Sequence, residues 1–220
     1  MSRGPFDPGF GDLPAVLPIF PLPGALLLPG GKLPLNIFEK RYLAMVRDAM
    51  RSDSRMIGMI QPREDEAANE PPAVYATGCA GRIVAFSETD DGRYLIALTG
   101  VARFQVVREL PSASAYRRVE TDFAPFRADL EEGSAAAIDR DRLIKALKAY
   151  FTLESISADW DAIVEAPDDK LVTTLAMVCP FGNREKQALL ESPGLTERSQ
   201  MMTALIEIAV LDNAGAAARH

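Results

Sequence analysis

The chain has 220 residues, 48% of them hydrophobic and 25% charged, an ordinary globular mixture that can bury a core without metal or disulfide staples. Its net charge of −7 argues against nucleic acid, whose phosphates demand a basic face. The only histidine is the terminal His220, and the two cysteines, Cys79 and Cys179, lie far apart in apolar settings, which excludes Ser-His-Asp triads, Cys-His pairs, His-ligated metals and all-cysteine clusters.

Residues 1–12 are rich in Gly and Pro and read as a flexible arm. Leu13 to Leu35 is apolar but broken by prolines and glycines, so it is neither a membrane helix nor a signal core. With two isolated thiols, this places the expected compartment in the cytoplasm. Leu17 to Leu22 reads as a strand; its prolines predict an edge or a seam. Pro23-Gly24 and Pro29-Gly30-Gly31 are turn signals around Leu26-Leu27-Leu28, and Leu33 to Phe38 is again extended.

The period then changes. From Glu39 to Arg51, Tyr42, Leu43, Met45, Val46, Ala49 and Met50 recur at helical spacing. Met56 to Ile60 is a short strand, and the charged stretch Pro62 to Pro72 is a loop. Val74 to Phe126 reads as β structure. Gly78 and Gly81 suggest a bulge or close backbone approach, Asp91-Gly92 a hairpin turn, and Gly100 a strand break.

Helices are predicted beyond Gly133. Ser134 is the expected cap of the first, with Ile138, Leu143, Ile144, Leu147, Tyr150 and Phe151 as its stripe. Ser155 to Trp160 interrupts or ends it, Pro167-Asp168-Asp169 opens the next, and Pro180-Phe181-Gly182 stops that one. Asn183 is expected to cap a helix to Leu190, and Thr196 one to Leu211. The expected organisation is a flexible arm (1–12), a β-rich part (13–126), a helical subdomain (127–212) and a frayed tail (213–220). Residues 126–220 carry most of the excess negative charge.

No catalytic equipment emerges. Gly30-Gly31-Lys32 fails as a phosphate loop, because Leu26 and Leu33 stand where glycine and a hydroxyl residue are required. Gly78-Cys79-Ala80-Gly81 lacks the basic helical context of a nucleic-acid clamp. The lysines, Lys32, Lys40, Lys145, Lys148, Lys170 and Lys186, fall in turns or on helix faces with charged neighbours. Asp90-Asp91 reads as a turn and Asp168-Asp169 as a helix start. Trp160, the Tyr150-Phe151 pair and Met45, Met50, Met56 and Met59 read as core packing.

Leu17-Pro18-Ile19-Phe20-Pro21-Leu22 and Leu33-Pro34-Leu35-Asn36-Ile37-Phe38-Glu39-Lys40-Arg41-Tyr42 resemble the opening of the N-terminal, substrate-binding domain of Lon proteases. Gly78 to Val84, Asp91 to Tyr94, Leu98 to Phe104 and Pro180 to Leu190 match later family segments, so the resemblance runs from Leu13 to Leu211. It implies an α+β fold: a PUA-like six-stranded β pseudo-barrel with one inserted helix, followed by a C-terminal α-helical bundle. Full-length Lon adds an ATPase module and a Ser-Lys protease domain. This sequence has no Walker motif and no protease part, and it resembles stand-alone proteins of this domain.

The expected function is therefore a non-catalytic protein-recognition module for exposed apolar or unstructured polypeptide segments, with no cofactor or metal and with neither nucleic acid nor membrane as partner. The expected contact residues are Phe20, Leu22, Leu35, Phe38 and Tyr42, read against the alternative that most of them are core and that Glu39 and Arg41 brace the strand-to-helix turn. The alternative functions are an adaptor or regulator of a separate ATP-dependent protease or other dedicated partner, and a cryptic hydrolase.

Overall fold

The computed structural model describes residues 7–63, 72–111, 115–131 and 137–217. In these segments β1 (Val16–Pro21) is followed by β2 (Lys32–Ile37), α1 (Lys40–Arg51), β3 (Met56–Ile60), β4 (Thr77–Glu88), β5 (Tyr94–Glu109) and β6 (Arg118–Asp122). The strands form one mixed sheet in the order β2-β5-β4-β3-β1-β6. A further β5–β6 pairing returns the ladder on itself, and among the described residues β2 pairs with β5 alone. β1 is staggered. Val16 to Pro18 pair with β6, and Ile19 to Pro21 run parallel to β3. Its prolines are tolerated because each half is laddered on one side only. Most of the expected loop from Pro62 to Pro72 lies outside the described residues.

Gly100 does not break its strand: β5 runs unbroken from Tyr94 to Glu109. Its missing side chain serves a close approach. The Gly30 amide donates to the Gly100 carbonyl, and the Gly100 amide donates to the Gly31 carbonyl, both at 2.9 Å. A Cβ on Gly100 would overlap the Leu28 carbonyl. The same clasp seats Leu26, Leu27 and Leu28, which are buried although they belong to no strand or helix. β4 slips register at Ala80/Gly81, the bulge the glycines suggest. The β reading of the sequence overshoots at its end, because Phe123 begins a 3-10 segment, Ala124–Leu130.

The helices are α2 (Arg140–Leu153), α3 (Trp160–Glu165), α4 (Asp168–Val178), α5 (Asn183–Glu191) and α6 (Leu195–Ala217). Ser134 lies outside the described residues. Asp139 caps α2, accepting from the Arg142 amide at 3.1 Å. α5 begins at Asn183 itself, with Gly182 at the cap and the Glu185 carboxylate accepting from the Gly182 amide at 2.8 Å. α6 starts at Leu195, ahead of the expected Thr196 cap, and continues to Ala217. The short α3 is an addition to the sequence reading. Arg140 closes its C-terminal end, donating to the carbonyls of Ile163, Val164 and Ala166 and pairing with Asp168.

Two apolar cores result. A smaller one joins Leu17, Ile19, Phe104, Val119 and Phe123 within the strands. The larger one unites the sheet with the helices, through Leu26 to Leu28, Met45, Leu98, Leu147, Leu175, Leu189 and Met202. Alternate residues of β1 therefore face different cores: Leu17 and Ile19 one, Phe20 the other.

Candidate functional site

An open groove of about 1040 Å³ lies between the sheet and the helices. Its floor is Pro29 to Gly31 and the start of β2 (Lys32 to Pro34), with Arg82 to Val84 of β4 and Thr99 to Val101 of β5. One wall is α4, from Asp169 to Val178, and Asp129 to Glu131 close one end. The Gly30–Gly100 clasp fixes the floor. Gly31 also lets Met177 of α4 pack directly onto the loop, since a Cβ there would overlap the Met177 sulfur. The glycines that fail as a phosphate loop thus bring loop, sheet and helix together.

The lining is mixed. Leu33, Pro34, Val84, Met177 and Val178 supply apolar surface, and Lys32, Arg55, Arg82, Lys170 and Thr173 supply polar groups. Val178 is 68% exposed and Val84 56%, large apolar side chains held open to solvent. Backbone geometry is unusual at one rim: Arg55 has φ 51°.

A buried charge cluster anchors the closed end. Arg103 of β5 donates from Nη2 to Asp129 Oδ1 at 2.7 Å and from Nε to Asp129 Oδ2 at 2.9 Å. It also donates to the carbonyls of Leu190, Ser192 and Pro193. Neighbouring Arg198 donates to the Leu189 carbonyl at 2.9 Å. Burial and the nearby Arg103 charge lower its pKa to about 10. This network ties β5 to the 3-10 segment and to the α5–α6 turn. No periodicity in the sequence points to it, because its partners are mostly distant backbone carbonyls.

The five expected contact residues separate. Phe20 and Tyr42 are buried, their rings 4.2 Å apart, and burial raises the Tyr42 pKa. Leu22 and Leu35 are half-buried against the larger core. Phe38 is 63% exposed. Arg41 donates to Glu39 at 2.9 Å and lies over the Tyr42 ring at 4.8 Å, bracing the start of α1. Leu33 and Pro34, which line the groove, sit beside the expected Leu35 in sequence, at the start of β2.

Other chemistry is placed as follows. Cys79 and Cys179 are both buried free thiols; burial pushes Cys79 up strongly and Cys179 up to about 11. Lys186 lies on a helix, as the sequence reading has it, but its side chain is buried rather than merely set among charged neighbours. It is buried in α5, its Nζ donates to the Gly24 carbonyl at 2.7 Å, and burial lowers its pKa. Tyr150, Phe151 and Trp160 pack on one another, with Lys148 over the indole at 5.6 Å. Among the described residues no group of three or more His, Cys, Asp or Glu could hold a metal ion, and no helix is long and apolar enough to cross a membrane. His220 lies outside them.

A family model described as the ATP-dependent protease La (LON) substrate-binding domain matches residues 16–207. The chain belongs to this family. Among curated relatives it is 29% identical to Lon protease 2 of Myxococcus xanthus over 198 residues, and 30% identical to Lon protease of Anaeromyxobacter dehalogenans over 200. These alignments cover 89% of this chain but 24% and 23% of those proteins, so the chain spans about a quarter of their length. A solved Lon N-terminal domain protein from Xanthomonas campestris superposes with a TM-score of 0.58 at 26% identity, covering 86% of this chain and 97% of that one. The N-terminal domain of a Mycobacterium avium complex Lon protease superposes at 0.60 and 19% identity, covering 87% and 98%, and shares the fold. A mixed six-stranded sheet with appended helices is thus the Lon N-terminal domain fold, and membership of the family supports a substrate-recognition role.

Proposed function

We propose that this protein is a non-catalytic recognition module that captures exposed apolar or unstructured polypeptide segments in the groove between sheet and α4. The observation that carries it is the groove itself: about 1040 Å³, open, with exposed Val84 on its floor, exposed Val178 on its α4 wall and polar groups along its lining. A mixed lining of this kind suits a chain with apolar side chains and a polar backbone. The sheet ladder that closes through β5–β6 supports reading the scaffold as a PUA-like pseudo-barrel, with α2 to α6 as its helical subdomain.

Phe38, exposed just past the other end of β2, extends the contact surface beyond the groove. Leu22 and Leu35, half-buried against the core that contains Phe20 and Tyr42, are the other partly accessible residues of the opening motif that this reading assigns to the contact surface. The partners are polypeptide substrates, and the compartment is the cytoplasm. The test is fluorescence anisotropy of a fluorescein-labelled, reduced and carboxymethylated α-lactalbumin titrated with the protein, without ATP. A saturable rise that Val178→Glu weakens at least tenfold is the expected result. A flat titration overturns the reading and leaves a dedicated folded partner as the alternative.

A further inference from the structure

The sheet leaves one strand edge open beside the groove, and several independent features keep it open. β3 pairs with β4 only as far as Met56 opposite Arg82, and the Ile83 amide makes one last bond to the Arg55 carbonyl at 2.9 Å. There the chain turns away. Arg55 takes the left-handed φ of 51° that non-glycine residues seldom adopt. The Ser52 hydroxyl, accepting from the Arg55 amide at 3.2 Å, holds that turn. Beyond it, among the described residues, Val84 to Glu88 of β4 have a strand neighbour only on the β5 side.

The direction of the free backbone groups follows from the register. The Thr89 amide donates to the Arg93 carbonyl at 2.9 Å, so Thr89 faces β5. Antiparallel alternation then turns Ser87 and Ala85 towards β5, and turns the N–H and C=O of Phe86 and Glu88 outward. Among the described residues nothing pairs with those outward groups.

The sheet's other open edge is treated differently. On β2 the Gly100–Gly31 bond puts Leu33 and Leu35 towards β5, so Lys32, Pro34 and Asn36 face away from it. A lysine and a proline on outward positions are devices that block strand addition. Val84-Ala85-Phe86-Ser87-Glu88 contains neither. Instead it carries Val84, which also lines the groove, and Phe86, which is partly exposed with its ring 5.0 Å from that of Tyr94. The groove therefore runs directly onto an unblocked edge bearing apolar side chains.

We infer that the captured polypeptide binds as an added β-strand on the Phe86–Glu88 edge of β4, with its continuation lying in the groove. The inference rests on the polypeptide-binding reading above and specifies its substrate class as extended segments with free alternate amides. Helical segments and segments interrupted by proline at those amides are discriminated against. Main-chain bonds supply sequence-tolerant affinity, and Phe86 and Val84 favour apolar side chains at alternate positions.

The test compares a fluorescein-labelled nonapeptide of alternating Thr and Val with the same peptide N-methylated at alternate amides, in both frames, alongside carboxymethylated α-lactalbumin. Each is titrated with the wild type, with Glu88→Pro, which removes an outward amide as Pro34 does on β2, and with Asp90→Ala, which makes the same charge change in the turn. Expected are at least tenfold weaker binding of one N-methylated frame, at least tenfold weaker binding of all probes by Glu88→Pro, and no change with Asp90→Ala. If Glu88→Pro does not keep the wild-type melting curve, the N-methylated peptides decide. Binding of the probes that ignores both backbone changes overturns strand addition and leaves polypeptide binding standing. Absence of binding by the wild type overturns both. A wild-type dimer that Glu88→Pro dissociates assigns the edge to a second copy and also overturns the proposal.

Discussion

At the scale of single residues, burial divides the opening motif into support and surface. Phe20 and Tyr42 are core residues, and Phe38 is exposed. Phe20→Ala is expected to cost about 3–5 kcal/mol in urea denaturation, as a buried aromatic does. Phe38→Ala should stay within about 0.5 kcal/mol and weaken polypeptide binding instead. The reverse pattern would remove Phe38 from the contact surface. The thiols give a pH signature. Cys179 is raised from its ordinary 9.0 to about 11 in the fold, with Cys79 raised further. A folded-state pKa above the unfolded one gives stability that is complete below the unfolded value and is lost as pH rises through the folded value. Stability should therefore fall from about pH 9 towards pH 11, and a Cys79→Ala/Cys179→Ala protein should show a shallower decline. An identical decline in the double variant would contradict the assignment. The two thiols were legible as buried because each stands among apolar neighbours. The burial of Lys186 was not, because its partner is the carbonyl of Gly24, far away in sequence.

At the scale of elements, the informative features were those with a local cause. α1 follows from the helical spacing of Tyr42, Met45, Val46 and Ala49, all buried on one face. α4 starts where Pro167 and two carboxylates suit a helix N-terminus. The hairpin follows from Asp91-Gly92, with Gly92 at φ 78°. Gly100 misled, because glycine serves both to break strands and to admit a neighbouring backbone, and only the Leu28 loop packed against it decides between them. The Arg103 network was invisible for a related reason: it joins β5 to the 3-10 segment and the α5–α6 turn through carbonyls that carry no sequence signal. Arg103→Met removes the ion pair of the buried Asp129 carboxylate and leaves it only the residue-103 backbone amide, and is expected to destabilise by about 3–5 kcal/mol. Arg103→Met with Asp129→Leu should recover part of that loss in a double-mutant cycle. Additive losses would show that the two groups do not depend on each other.

At the scale of the whole molecule, sheet and helices share the larger core, which runs from Leu27 and Met45 to Leu175 and Met202. The groove is the remaining space where the two layers diverge, so its floor and wall are as rigid as the packing behind them. That origin explains why the site was only partly legible. The sequence showed the apolar opening segment and its family pattern. The groove arises instead where Pro29 to Pro34 meet Val84, Val101 and Val178, which lie far from one another along the chain. Hydrogen exchange of the protein with and without saturating carboxymethylated α-lactalbumin tests the account most directly. The account predicts slowed exchange from Gly30 to Leu33, at Val84 to Glu88 and along α4, with α6 unchanged. Protection confined to α6 or to other surfaces, with the groove unchanged, would contradict it.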